Sequence, residues 1–440
     1  LVDFSVLESS EFKQLRKLLG AKVYLVGGAV REGLLGRTVE DIDCASAVHA
    51  DEALKKLEPH FRVIPTGIEH GTIRVMLPNL GGVELTTFRK PSSRAKSEFS
   101  KTIEEDLAGR DFTINAIALD PDSKELIDPF NGAIDIKNKI LRAVGDPNER
   151  INEDPHRILR ALRFGYAEGR EIEALLLKCL KELGRSIETV SIERVRDELT
   201  KIILCSFPEK AIEALKEIDI LDLVLPEFLD SVGFEQNDFH TEDVFSHSLT
   251  VLGRARDITD DKIVRIAALF HDIGKPKSFS VGDDGRRHFY GHEVFGAEIT
   301  ESALERLRFG SLEIKRVSRL IKYHMRPIEC GPAGVRRLFR DLEDDFSLWR
   351  LLKIADKPPI EDEETFLLRL KVFDEMVLKE REKQKEPLRI AVNGDDLKAL
   401  GISPGPKMGA ILKKLEEEVI ETPEINEKEK LLERAKVHAK

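Results

Sequence analysis

Two aspartates one residue apart, Asp41 and Asp43, close the stretch LVGGAVREGLLGRTVEDIDCAS (25–46), and a glycine pair, Gly27 and Gly28, opens it. On a strand the two carboxylates point to one face while Ile42 points into the core. Like charges this close repel unless a cation sits between them, and Mg²⁺ takes hard oxygen ligands while leaving positions for phosphate. Glu84, in GVELTTFR, offers a third carboxylate from a neighbouring strand. The glycines end one strand and open a helix, where exposed backbone N–H groups suit a triphosphate. Arg31 stands one turn further along, within reach of the same phosphates. Alone, a GG pair is a turn and a DxD is a solvated strand end. The order strand, GG, helix, DxD within about twenty residues points to metal and nucleotide together. Carboxylates holding two Mg²⁺ about 3.5–4 Å apart serve in-line phosphoryl displacement, with a sugar hydroxyl as the nucleophile.

The elements that must position these groups are legible as periodicities. AKVYLVGG, DIDCA, FRVIPT, TIRVML and GVELTTF read as strands, with AVREGLLG and ADEALKKLEPH as helices between them. KPSSRAKSEFSK (90–101) follows neither period and reads as a mobile basic loop. From INEDPHRILRALRFG onward the period is helical, broken near CSFPEK, GDDGRR, ADKPPIEDEE and GISPGPKMG. The expected class is α+β: one small α/β head on a long α-helical body.

These residues are similar to a known set. GGAVREGLLGRTVEDID, EEDLAGRDFTINAIALD, DPFNGAIDIKNKILRAVG, NEDPHRILRALRF and SIERVRDEL follow one another as the motifs of the class II tRNA nucleotidyltransferases do. That family contains the CCA-adding enzymes and their bacterial poly(A) polymerase relatives. The resemblance covers roughly residues 20–200. It implies a polymerase-beta-like head with a mixed sheet (1–140), then an elongated all-α neck that selects the nucleotide (141–205), a body (206–365) and a tRNA-binding tail (366–440). It also implies that Gly28, Arg31, Asp41, Asp43, Arg110, Asp154, Arg157, Arg160 and Arg163 bind nucleotide or metal, with Gly27 and Asp111 beside them. One departure is plain. Where the family has two arginines before Asp111, this chain has Gly109 and then Arg110.

Asp154 and Arg157 are three apart, hence neighbours if one helical face carries both. Pro155 suits the first turn of that helix, with Glu153 or Asp154 as its cap. An Asp beside an Arg offers acceptor then donor, the complement of the pairing edges of cytosine and adenine. Guanine and uracil would meet the wrong partner at both contacts, at about 1–3 kcal/mol each. The bland alternative is a surface ion pair. Arg160 and Arg163 continue the basic stripe toward phosphate.

A second constellation lies downstream in HTEDVFSHSL, ALFHDIGKPKSFS, FYGHEVFGAE, IKYHMRP and LLKIADK. Burying the adjacent His271 and Asp272 after an apolar run is costly unless something coordinates them. With His247, His292, His324 and Asp356 they resemble the HD-domain metal phosphohydrolases. Imidazole with carboxylate suits Ni²⁺, Mn²⁺ or Fe²⁺. The alternative is an HD fold kept as a scaffold. In the tail, GISPGPKMG between two helices reads equally as a phosphate-meeting hairpin or a plain interhelical loop.

The whole chain sets bounds. Its 440 residues exceed one ordinary core. A net charge of −11 excludes a protein coated in basic surface but not a local basic track. No apolar run approaches the ~20 residues that span a bilayer, and LVDFSVLESS lacks the basic and apolar halves of a signal peptide. The four cysteines are far apart, so a reducing cytoplasm is expected. The expected partners are tRNA, at its 3′ end and elbow, with CTP and ATP as substrates and neither membrane nor protein partner implied. The rivals are a bacterial poly(A) polymerase, which typically brings a basic C-terminal extension, a split CC-adding or A-adding enzyme, an HD phosphohydrolase with a regulatory nucleotide-binding head, and an inactive RNA-binding scaffold.

Overall fold

A computed structural model describes residues 5–39, 42–90, 98–236, 242–283, 285–357, 362–383 and 389–439. Asp41 and most of the basic loop, 91–97, lie outside the described residues. The chain divides into two compact units, Leu1–Pro226 and Glu227–Lys440.

The first unit is built on a seven-stranded mixed sheet in the order β3-β4-β5-β2-β1-β6-β7. The strands are β1 Val23–Val26, β2 Ile42–Ser46, β3 Arg62–Ile64, β4 Thr72–Leu77, β5 Gly81–Thr87, β6 Ala118–Leu119 and β7 Leu126–Ile127. The first five occupy the expected segments. The last two are two-residue strands, too short to show a period, and the N-terminal helix Ser10–Leu19 was also not anticipated. That helix buries Phe12, Leu15 and Leu19 and is capped by the Ser9 side chain at one end and by left-handed Gly20 at the other. Every described pairing in the sheet is antiparallel except β2 with β5, which sets Asp43 opposite Glu84. Strand alternation buries Ile42, Val83 and Leu85 while Asp43 and Glu84 face away from that core.

After the sheet the unit becomes helical apart from a two-residue parallel pairing of Ile140–Leu141 with Glu171–Ile172, so the neck is not all-α as expected. Helix Arg157–Phe164 buries Ile158, Leu159, Ala161, Leu162 and Phe164, which leaves Arg157, Arg160 and Arg163 along its other side. Helix Pro208–Glu217, assigned to the body from the sequence, belongs here. It buries Ala211, Ile212 and Leu215, and the preceding Phe207 N–H donates to Ala167 O at 2.9 Å.

The second unit is helical apart from a short hairpin, Ser280–Val281 with Arg287–His288, at the predicted GDDGRR break. Helices Val244–Ile258, Lys262–Phe270, His292–Arg306, Ser311–Tyr323 and Phe346–Ala355 form its centre. Trp349 is fully buried there, its indole N–H donating to Tyr323 O at 2.8 Å. Gly274 touches the helix that begins at His292: a Cβ on it would stand 2.2 Å from His292 O and 2.5 Å from Gly296 N. Helices Gly394–Ala399, Pro406–Glu421 and Lys428–Ala439 close a separate small core around Leu397, Leu415, Val419 and Leu431. GISPGPKMG joins the first two of these. Arg336 ties this tail to the body, donating to Ile420 O at 2.6 Å and Glu380 Oε2 at 2.5 Å.

Because backbone blocks a side chain at Gly274, Gly274→Ala is expected to lower stability by about 1–3 kcal/mol. Gly409→Ala, in the first turn of helix Pro406–Glu421 with no described atom within 4 Å of the added Cβ, is expected to raise it by about 0.5 kcal/mol. Urea unfolding in EDTA, followed through the fluorescence of the single tryptophan, reads both.

Candidate active site

All the described head and neck candidates line one cleft of about 980 Å³: Gly27, Gly28, Arg31, Asp43, Glu84, Arg110, Asp111, Asp154, Arg157, Arg160 and Arg163. Gly27 takes a positive φ of 59° at the end of β1. A Cβ on it would lie 2.7 Å from an Arg110 guanidinium nitrogen, and one on Gly28 would lie 3.4 Å from Asp43 Oδ2. The glycine pair therefore lets a guanidinium and a carboxylate approach the backbone where the helix Gly28–Leu34 begins. Asp43 and Glu84, in register on parallel neighbours, put two hard oxygen donors side by side, which fits a divalent cation. Arg110 is oriented by Asp106 Oδ2, at 3.3 Å from Nε and 3.1 Å from Nη2, and by Asn115 O at 3.2 Å.

The remaining arginines are each tied down. Arg31 is buried, bonded to the Asn115 side-chain oxygen and to Glu32. Asp111 is a positioning group: its Oδ2 accepts from Arg160 Nε at 2.7 Å and Nη2 at 2.5 Å, and its Oδ1 from Phe112 N–H and Asn115. Burial would raise the Asp111 carboxyl, yet Arg160 and Asn115 hold it below its ordinary value. Arg163 donates to Glu198 at 2.5 Å and reaches Glu168 at 3.4 Å. Three guanidinium carbons, of Arg163, Arg31 and Arg160, lie 3.8, 4.8 and 5.2 Å from the ring centre of Phe164. That ring collects cations from the head and the neck.

The expected helical pairing of Asp154 with Arg157 is not what the structure shows. Helix Pro147–Glu153 ends just before Asp154, which is extended at φ −149° and ψ 96°, and a new helix starts at Arg157 with His156 as its cap. Pro155 falls in the break and accounts for it, because the residue before proline avoids the helical region. Asp154 instead pairs with Arg194 at 3.1 and 2.7 Å and accepts the His156 N–H at 3.2 Å. Burial would raise its carboxyl, but Arg194 holds it below the ordinary value. Arg157 donates to Glu153 and to Arg150 O, both at 2.8 Å, and to Gly109 O at 3.1 Å. The glycine that replaces the usual arginine thus anchors Arg157 through its carbonyl. Both side chains still line the cleft.

In the second unit all six predicted residues converge. His271, His324 and Asp356 end helices, His292 begins one and His247 lies within another, so the ligands come from five helices. His247, His271 and Asp356 form one group and Asp272, His292 and His324 another. Asp272 faces both: Oδ2 lies 3.2 Å from His271 Nε2 and 3.4 Å from His247 Nε2, and Oδ1 lies 3.2 Å from His292 Nε2. His271, His292 and His324 each direct Nδ1 at the carbonyl three residues back, at 2.9, 2.8 and 2.6 Å. Those nitrogens must carry hydrogen, so in the neutral rings the Nε2 lone pairs face the centre.

His292 Nε2 and His324 Nε2 stand only 3.2 Å apart, and buried His271 Nε2 has no hydrogen-bond partner. Lone pairs packed against buried carboxylates call for positive charge. Burial disfavours a proton on His271, but Asp272 and Asp356 raise its pKa to about 10, while burial lowers that of His324. Divalent metal meets the same demand with ligands already aimed. The donor set of imidazoles and carboxylates fits a transition metal. Lys275 Nζ lies 2.5 Å from Asp272 and 2.7 Å from Gln236 Oε1, and Lys353 joins it in a cavity of about 560 Å³.

Sequence reasoning missed Arg194, Glu153, Asn115 and Phe164 in the first unit, and Lys275, Lys353 and Gln236 in the second. Arg194 stands in SIERVRDEL, but nothing in the sequence brings it to a carboxylate forty residues earlier. Phe164 carried an ordinary apolar signal.

The profile of the poly A polymerase head domain matches residues 23–142, and that of the HD domain matches 244–357. The RNA and SrmB- binding site of polymerase A matches 171–231, and tRNA nucleotidyltransferase domain 2 matches 343–435. The chain is 32% identical to the A-adding tRNA nucleotidyltransferase of Deinococcus radiodurans over 89% of this chain and 90% of that one. It is 31% identical to the CCA-adding enzyme of Ligilactobacillus salivarius over 97% and 96%. It shares the fold of the Bacillus stearothermophilus CCA-adding enzyme solved with CTP, at a TM-score of 0.73 and 23% identity over 98% of both chains. Among the described residues no helix is long and apolar enough to cross a membrane. With identity and coverage of this extent, and with a nucleotidyltransferase head preceding an HD domain, the chain belongs to the class II tRNA nucleotidyltransferases, the divalent-metal-dependent family of the CCA-adding enzymes.

Proposed function

We propose that this protein builds or repairs the 3′-terminal CCA of tRNA from CTP and ATP, in the cytoplasm and without a nucleic acid template. The observation that carries the reading is a single cleft with the carboxylates of β2 and β5 and the Asp154 and Arg157 side chains in its walls. Asp43, with Asp41 and Glu84, holds Mg²⁺, which when bound offsets phosphate charge and supports in-line displacement. Backbone N–H groups at Gly28 with Arg31 and Arg110 hold the triphosphate. The tRNA 3′-hydroxyl attacks the α-phosphorus and pyrophosphate leaves.

Base choice falls to two preset groups. Arg157 spends Nη1 on Glu153 and Arg150 O and one Nη2 hydrogen on Gly109 O, which leaves Nε–H and the other Nη2 hydrogen for a ring nitrogen. Asp154, ionised and oriented by Arg194, has a further lone pair for an exocyclic amino group. The relatives include both A-adding and CCA-adding enzymes. The basic segment KPSSRAKSEFSK favours CC addition.

The second unit supports a second activity. Six converging ligands, three of them imidazoles with lone pairs preset by backbone bonds, favour a transition-metal phosphohydrolase centre over an inert HD scaffold.

Labelled tRNA transcripts ending before CCA, after C or after CC, incubated with Mg²⁺ and CTP, ATP or both, are expected to stop cleanly at CCA. Addition of A alone would move the chain to the A-adding branch, and long A tails to poly(A) polymerase. Asp43→Ala is expected to lower kcat by about 10²–10³-fold or more. Asp154→Ala is expected to cut discrimination between CTP and UTP, read as kcat/KM, by about 5–150-fold, the equivalent of about 1–3 kcal/mol; unchanged discrimination would take base choice away from Asp154. Elemental analysis after incubation with Mn²⁺ or Ni²⁺ and desalting is expected to find metal in the wild type and a loss in His324→Ala, with CCA addition retained.

A further inference from the structure

Resting on the reading of the second unit as a metal centre, we infer that its cavity binds a nucleoside phosphate, with the base laid on Tyr290. That side chain lines the same cavity as His247, Asp272, His292 and His324, yet it is 77% exposed. A large aromatic left in water beside a buried polar centre is an unusual placement, and three features hold it there. Gly291, at φ 77°, reverses the chain so that His292 turns inward as the next helix begins while Tyr290 stays outside. On the other side, Phe289 is fixed in a ring cluster, 6.2 Å from Phe234 and 6.1 Å from Phe279 by their centres. His288, ending the short hairpin, stacks on Tyr290 at 5.0 Å and 12° between planes.

A flat ring backed by a second ring and fixed by its neighbours costs little ordering when a third planar group lands on it. Bases of every kind stack on such a face. The metal ligands at the other part of the cavity, with Lys275 and Lys353, draw the phosphate. A volume of about 560 Å³ lies within the range for small-molecule sites. A phosphate-seeking centre and an aromatic platform in one cavity distinguish a nucleotide, or a nucleotide at an RNA end, from a bare sugar phosphate.

The test compares adenosine 5′-monophosphate with ribose 5-phosphate by calorimetry on the Mn²⁺-loaded full chain. An Arg157→Ala background weakens the head's own nucleotide site, and metal content is measured in every sample. Adenosine 5′-monophosphate is expected to bind about 5–150-fold more tightly than ribose 5-phosphate. Tyr290→Ala should collapse that ratio toward one without changing ribose 5-phosphate binding or manganese content, and Tyr290→Phe should keep it. An unchanged ratio in Tyr290→Ala with manganese still bound would overturn the platform alone. Loss of manganese in Tyr290→Ala would make Tyr290 a support of the centre instead. Absence of manganese from every sample would overturn the metal reading itself, and the platform with it.

Discussion

The pair between buried Asp111 and part-buried Arg160 is the constraint on which the first unit turns. It joins the segment after the head's short helix to the neck helix Arg157–Phe164 across forty-nine residues. A carboxylate taken this far out of water stays charged only if its remaining lone pairs are met, and here Phe112 N–H and the Asn115 amide meet those of Asp111. Asn115 also accepts from Arg31 through its side chain and from Arg110 through its carbonyl. One asparagine therefore sets the two head arginines and, through Asp111, a neck arginine. Like charges that would repel across an empty cleft are held by carboxylates, carbonyls and the face of Phe164, ready for a polyanion. Such preorganisation means the protein need not reorder its donors when phosphate arrives.

The same physics operates with reversed sign in the second unit. There the crowded groups are carboxylates and imidazole lone pairs, and the missing charge is positive. Backbone carbonyls fix the tautomers of His271, His292 and His324 in advance, so the centre is built for a cation before one arrives. Gly274 and Gly296 let two backbones approach closely just behind His271 and His292.

Between these two centres the chain assigns different work to similar residues. Arginine dominates the first, where a planar fork can meet phosphate or a base edge. Histidine dominates the second, where neutral nitrogen ligands suit a transition metal. Beside the carboxylates of the second centre stand two lysines, Lys275 and Lys353, as compact charges.

The sequence alone determined the order of elements, the mixed head before a helical body, and the carboxylates, cleft arginines and histidines around which both sites are built, but not the neighbours that line the rest of either site. It could do so because periodicity, glycine turns and ligand-type residues are local signals. The tertiary structure decided the partners. Asp154 and Arg157 are three apart in sequence, and spacing alone made them a helical pair; Pro155 breaks the helix, so Asp154 turns to Arg194 and Arg157 to Glu153 and Gly109. The Phe164 face reads as ordinary core until three guanidiniums, two from its own helix and Arg31 from the head, meet on it. The sharing of Asp272 between two histidine groups is invisible in any spacing, because it depends on how five helices meet in space. Local sequence chooses which groups are present, and only long-range packing fixes which of them touch.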